Sequence, residues 1–139
     1  MGCKKQEHIG YKSATALLAA FIMLACGVGL DETTEGFVLA TVTTFELADS
    51  TSGDSIRVHL AGTIGESSAY SFNRIDTAKT ATLFQIAVWG QYRESSKQVY
   101  TPVPPPFDTI VILPTTAQGL HHVNVHALGG ILRDSTVVY

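Results

Sequence analysis

Histidine supplies the one cluster of side chains in this chain whose chemistry is worth testing. Along the segment Leu120 to Ala127, His122, Asn124 and His126 recur at every second position, which on a β-strand puts all three on one face. His59 lies on the polar side of another alternating segment, so the candidate metal ligands are His59, His122 and His126. Two imidazoles four residues apart on a strand stand about 13 Å apart. A zinc–nitrogen bond is only about 2.0 to 2.1 Å long, so a shared ion would need His59, or another strand's ligand, beside one of them. The simpler reading is a row of polar residues filling the solvent face of a strand.

Other chemistries find less to work with. No serine stands in a G-x-S-x-G turn between a strand and a helix, and Cys3 and Cys26 are the only thiols. The carboxylates Glu46, Asp54, Glu66, Asp76, Glu94, Asp108 and Asp134 fall mostly at expected turns, where solvation is their ordinary role. Asp49 to Asp54 resembles a calcium loop only in composition, lacking the D-x-[DN]-x-[DN]-G order and the closing Glu. The glycines of Gly62 to Gly65 and of Leu128 to Gly130 are hairpin-like, with no helix following them to hold a phosphate. The expectation is therefore no enzymatic activity and no cofactor. Tyr92, Tyr100 and Tyr139 sit near expected strand ends, where amphipathic rings suit contact with a sugar or a protein.

The elements that must carry these residues are strands. From Phe37 onward, runs rich in Val, Ile, Thr, Phe and Tyr are separated by turn residues at intervals of roughly ten, the spacing of an all-β sandwich or barrel. The expected strands are Phe37 to Leu47, Ser55 to Ile64, Ala69 to Ile75, Leu83 to Tyr92, Lys97 to Thr101, Thr109 to Leu113, Leu120 to Ala127 and Thr136 to Tyr139. In Ser55 to Ile64 the residues Ile56, Val58, Leu60 and Ile64 face one way and Arg57, His59 and Thr63 the other. The Leu83 to Tyr92 run is apolar on both faces, which places it centrally and Trp89 in the core. Pro102, Pro104, Pro105 and Pro106 cannot donate to a ladder, so this stretch crosses at an edge or between sheets.

Before the strands comes a different kind of segment. Lys4, Lys5 and Lys12 precede the apolar run Ala14 to Ala25, which as a helix would measure about 18 Å. That falls short of the roughly 30 Å hydrocarbon core, so it reads as an export signal rather than a permanent span. Its end, Met23-Leu24-Ala25-Cys26, resembles the lipobox of bacterial lipoproteins. The resemblance implies cleavage after residue 25, diacylglycerol on Cys26 and, with Gly27 rather than Asp next, the outer membrane of a Gram-negative envelope. A chance cysteine beside an ordinary cleavage site is one alternative. Another is myristoylation at Met1-Gly2-Cys3, which wants Ser or Thr where Gln6 stands. The expected organisation is a signal peptide at 1–25, an acylated Cys26 with a polar tether at 26–36, and a β-sandwich at 37–139.

Charge bears on partners. Of nine basic and twelve acidic residues, the export segment holds Lys4, Lys5, Lys12 and Glu7, which leaves a net charge of −5 behind it. The remaining six cations are scattered from Arg57 to Arg133, which argues against nucleic acid, and an acidic lipid surface would repel the domain. Hydrophobic residues make up 45% of the chain and charged ones 15%, enough to build a folded core. With no cysteine after Cys26, that core must hold by packing alone.

The string Gly119-Leu120-His121-His122-Val123-Asn124-Val125-His126-Ala127 is similar to the penultimate strand of bacterial immunoglobulin-like and PKD-like domains, G-x-Y-x-V-x-V-x-A, with His121 in the tyrosine's place. Asp134 to Tyr139 resembles their closing strand. Tyr70-Ser71-Phe72, Ile86 to Gly90, and Pro106-Phe107 ahead of Thr109 to Leu113 resemble small lipoprotein β-domains. Together the likenesses cover about two-thirds of the chain and imply an immunoglobulin-like antiparallel β-sandwich, with His121 turned inward to bond a loop as the corner tyrosine does. The likenesses imply an architecture and no activity; the function expected from the export signal, the even strand spacing and the absence of an assembled catalytic group is a lipid-anchored accessory module of the envelope whose partner is an envelope protein or glycan. The alternatives are a small metal-binding protein and a self-associating structural subunit with an open sheet edge.

Overall fold

The computed structural model describes residues 32–139 apart from 49 and 52; the signal segment, Cys26 and most of the tether lie outside the described residues. The chain forms an all-β sandwich. Its strands are β1 (Thr33–Leu39), β2 (Thr41–Leu47), β3 (Ser50–Thr51), β4 (Ser55–Thr63), β5 (Tyr70–Thr80), β6 (Leu83–Ser95), β7 (Pro106–Pro114), β8 (Gly119–Ala127) and β9 (Gly130–Val138). The larger sheet runs β1-β6-β8-β9-β3 with β5 also paired to β6, and the smaller runs β2-β4-β7.

Alternation builds the core between them. Ile56, Val58 and Leu60 of β4 and Val111 and Leu113 of β7 are buried against Phe84, Ile86 and Val88 of β6 and Val123 and Val125 of β8. Each outward neighbour on these strands is more exposed, which is the signature of sheets wet on one face. β6 is central as expected: its first half, Leu83 to Ala87, lies between β5 and β8, and its second half between β5 and β1.

Several boundaries differ from the sequence reading. The segment Phe37 to Leu47 is two strands in two sheets, because the chain leaves the larger sheet at Ala40. That residue is fully buried, and its N–H donates to Val88 O while its carbonyl accepts from Leu128 N, both at 2.9 Å. Among the described residues the first strand starts at Thr33, inside the segment read as tether, and Thr33 to Gly36 pair with Ser95 to Tyr92. Lys97 to Thr101 forms no strand. The hairpin β5–β6 is longer than expected at its turn end, where Thr77 to Thr80 offer no apolar alternation to read.

Pairing is antiparallel except at two places. β6 runs parallel to β8, and β3 parallel to β9. The first of these follows from the proline segment. After β6 the chain crosses through Pro102 to Pro105 into β7 of the opposite sheet and returns as β8, and such a crossover delivers a parallel neighbour. β7 starts at Pro106 and ends at Pro114 on the edge of its sheet, where proline is tolerated.

Trp89 corrects another expectation. It lies on the outer face of the larger sheet, half-buried, and does not join the core of Phe84, Ile86 and Val88 with which it alternates.

Candidate functional site

The three histidines named as candidate ligands do not meet. His59 projects from the outer face of the smaller sheet, whereas His122 and His126 alternate with the buried Val123 and Val125 and so face outward from the larger one. The core separates them, and among the described residues no three His, Cys, Asp or Glu side chains are grouped to hold a metal ion. His126 Nε2 lies 3.1 Å from Gln85 Oε1, an acceptor for the ring N–H. His122 and Asn124 flank a shallow recess of about 570 Å³ with Arg133 and Asp134. His121 is turned fully inward as expected, its Nε2 2.8 Å from the Ala117 carbonyl and its ring 5.8 Å from that of Phe84.

His59 has partners that its sequence position did not reveal. Glu46 stands directly opposite it on β2, and Asp108 lies diagonally across on β7. His59 Nδ1 is 3.4 Å from Glu46 Oε2 and Nε2 is 2.8 Å from Asp108 Oδ1. The hydrogen bond to Asp108, then that to Glu46, holds the His59 pKa above its ordinary value of 6.5. When protonated, the ring donates to both carboxylates. With both nitrogens facing carboxylates, the protonated ring offsets part of their charge. Asp108 belongs to a strand rather than a turn, and Glu46, though expected in a strand, reaches His59 only through the β2–β4 register, which the sequence does not display.

The candidate tyrosines are also distributed differently. Tyr139 is exposed. Tyr92 packs its ring 5.5 Å from that of Tyr70, and Gly36 provides the room, since a Cβ there would come within 2.6 Å of the Tyr92 ring. Burial, reinforced by the charges of Glu94 and Glu66, raises the Tyr70 pKa, which keeps its phenol neutral. The Tyr100 hydroxyl folds back onto β6, accepting from Ser95 N at 2.9 Å and lying 3.0 Å from the Arg93 carbonyl. Of the three, only Tyr139 stands clear of such contacts.

A more organised surface lies on the outer face of the larger sheet. The Arg74 guanidinium sits 5.2 Å from the ring centroid of Phe37 and 5.5 Å from that of Trp89, bridging β5, β6 and β1. Arg74 Nε donates to both oxygens of Asp76 at 3.2 Å, and its Nη1 donates to Asn73 Oδ1 at 2.9 Å. Asn73 Nδ2 in turn donates to Gln91 Oε1 at 2.9 Å. Beside this chain of bonds a recess of about 360 Å³ is lined by Glu35, Gly36, Phe37, Gln91, Tyr92 and Arg93, with Arg93 Nε 2.9 Å from Glu35 Oε1. No family model, curated protein or solved structure matches the chain. The signal that could have found this face was in β6: Gln85, Ala87, Trp89, Gln91 and Arg93 share one side, so Trp89 travels with polar residues.

Proposed function

We propose that this protein is a lipid-anchored, non-enzymatic interaction module of a bacterial cell envelope, held by acyl chains on Cys26 and contacting an envelope protein or glycan through the outward faces of its sandwich. The observation that supports this reading is the apolar surface left on those faces. Phe37 on the larger sheet is 59% exposed, and Ile110 and Ile112 on the smaller are 62% and 60% exposed. Large side chains grouped on the water-facing side of a sheet favour a role in contact. The lipobox-like Met23-Leu24-Ala25-Cys26 supplies the anchor in the same reading.

Intact mass spectrometry of the protein extracted from membranes tests the proposal. The expected product starts at Cys26 and carries acyl mass on that residue. A chain that begins at Met1 and remains in the aqueous phase defeats the anchored role.

A further inference from the structure

We propose that the recess over the β1–β6 ladder binds an uncharged saccharide, one sugar ring stacking on Phe37 while Gln91 and the Glu35–Arg93 pair bond its hydroxyls. The inference rests on the interaction-module reading and names the chemical class of its ligand.

Hydrogen-bond polarity does the first part of the work. Arginine can only donate, so Arg74 Nη1 fixes the Asn73 oxygen toward itself. The Asn73 amide nitrogen must then face Gln91 and donate to Oε1, which leaves Gln91 Nε2 as a donor with no partner among the described residues. The bond from Arg74 Nε to Asp76 holds the start of this relay in place. Gln91 is thus presented with its amide orientation set before any ligand arrives, which lowers the entropy cost of binding.

Charge selects the ligand's character. Both arginines of this face are matched by a carboxylate, Arg74 by Asp76 and Arg93 by Glu35, so neither an anion nor a cation finds an unbalanced partner. The Glu35–Arg93 pair still has lone pairs and N–H groups to spare, since both side chains are largely exposed. Beside them the Phe37 ring, 59% exposed even with the Arg74 guanidinium 5.2 Å from its centroid, supplies apolar surface. A pyranose has the matching construction, with C–H bonds on its flat sides and hydroxyls around its rim. Size agrees as well: about 360 Å³ lies within the range of small-ligand sites, whereas a protein partner needs roughly 800 Å² of surface on each side.

The test titrates the purified protein with the neutral trisaccharides chitotriose, cellotriose and maltotriose, and with the charged trimers of glucosamine and galacturonate, by calorimetry. The expected result is saturable binding of at least one neutral sugar with a Kd below about 1 mM, and weaker binding of both charged trimers. Phe37→Leu and Phe37→Ala should each weaken it about tenfold, and Gln91→Leu severalfold, while Val103→Ala in the proline crossover, exposed and outside the recess, leaves it unchanged. Thermal melts of each variant show whether the fold is kept; Phe37→Leu retains the apolar bulk and guards against mere unfolding. No saturable binding of any neutral sugar overturns the proposal, as does tighter binding of a charged trimer or unaltered affinity in a folded Phe37→Leu protein. Absent saccharide binding by a protein acylated on Cys26 defeats the ligand assignment alone, whereas an unacylated chain that binds saccharide defeats the anchor alone.

Discussion

Replacing Gly90 with alanine should destabilise the sandwich chiefly through one side-chain contact, and its cost should shrink once that contact is removed. Gly90 is buried in β6, and a Cβ built on it would lie 2.0 Å from Ile64 Cγ2. Carbon atoms pack comfortably at about 3.5 to 4.0 Å, so one of the two must give by more than an ångström. Ile64 is poorly placed to do so: it is fully buried, its backbone N–H donates to the Pro105 carbonyl at 2.9 Å, and its branched Cβ leaves few rotamers. Overpacking of this kind costs about 1 to 3 kcal/mol. Ile64→Ala alone should cost about 2 to 5 kcal/mol by opening a cavity. In the double variant the new methyl meets the Cβ of residue 64 at 3.5 Å, an ordinary contact, and the Ser71 carbonyl oxygen at a tighter 3.2 Å, while partly filling the space left behind. The two losses should therefore fall short of additivity by about 1 to 3 kcal/mol. Urea unfolding followed by Trp89 fluorescence measures all four proteins, with thermal melts as a check, where 1 kcal/mol corresponds to about 4 to 8 °C in a domain of this size. Additive losses, within about 0.5 kcal/mol, would refute the account of Gly90 as a site kept clear for Ile64.

His59 should titrate above its ordinary value in proton NMR, and Asp108→Asn should lower its pKa further than Glu46→Gln, because the Asp108 bond is the larger cause. A folded pKa above the unfolded one means the stabilisation is fully present below 6.5 and is lost as pH rises through the folded value. The stability advantage of wild type over His59→Gln should accordingly shrink from acid to alkaline solution, and an advantage that grows would contradict the assigned bonds. At the β5–β6 turn Ala81 has φ of 48°, a left-handed conformation that burdens a side chain. Ala81→Gly should stabilise the protein by up to about 1 kcal/mol, strain relief outweighing the added freedom of the unfolded chain, and a lowered urea midpoint would show that the turn is unstrained.

The period-two alternation of Ile56, Val58 and Leu60, and of Val123 and Val125, was enough to specify an all-β sandwich and its buried faces, because hydrophobic patterning along one strand is a local property. The edge or crossing role of the proline segment was legible in its missing N–H groups, and the inward turn of His121 followed from the resemblance to immunoglobulin-like strands. What meets what was not. Whether His59 faces His122 or lies across the core from it depends on which sheet each strand joins, and strand order is a long-range outcome that no single segment encodes. Glu46, His59 and Asp108 become neighbours only through the β2-β4-β7 register, and Phe37, Arg74 and Trp89 only because β1 and β5 flank β6. The switch of sheets at Ala40 was equally hidden, since the alternation runs through it while the backbone hydrogen bonds that redirect the chain come from Val88 and Leu128. Sequence determined the faces of the strands; tertiary structure decided their neighbours, and with them every candidate site, because side chains converge only after distant strands have paired.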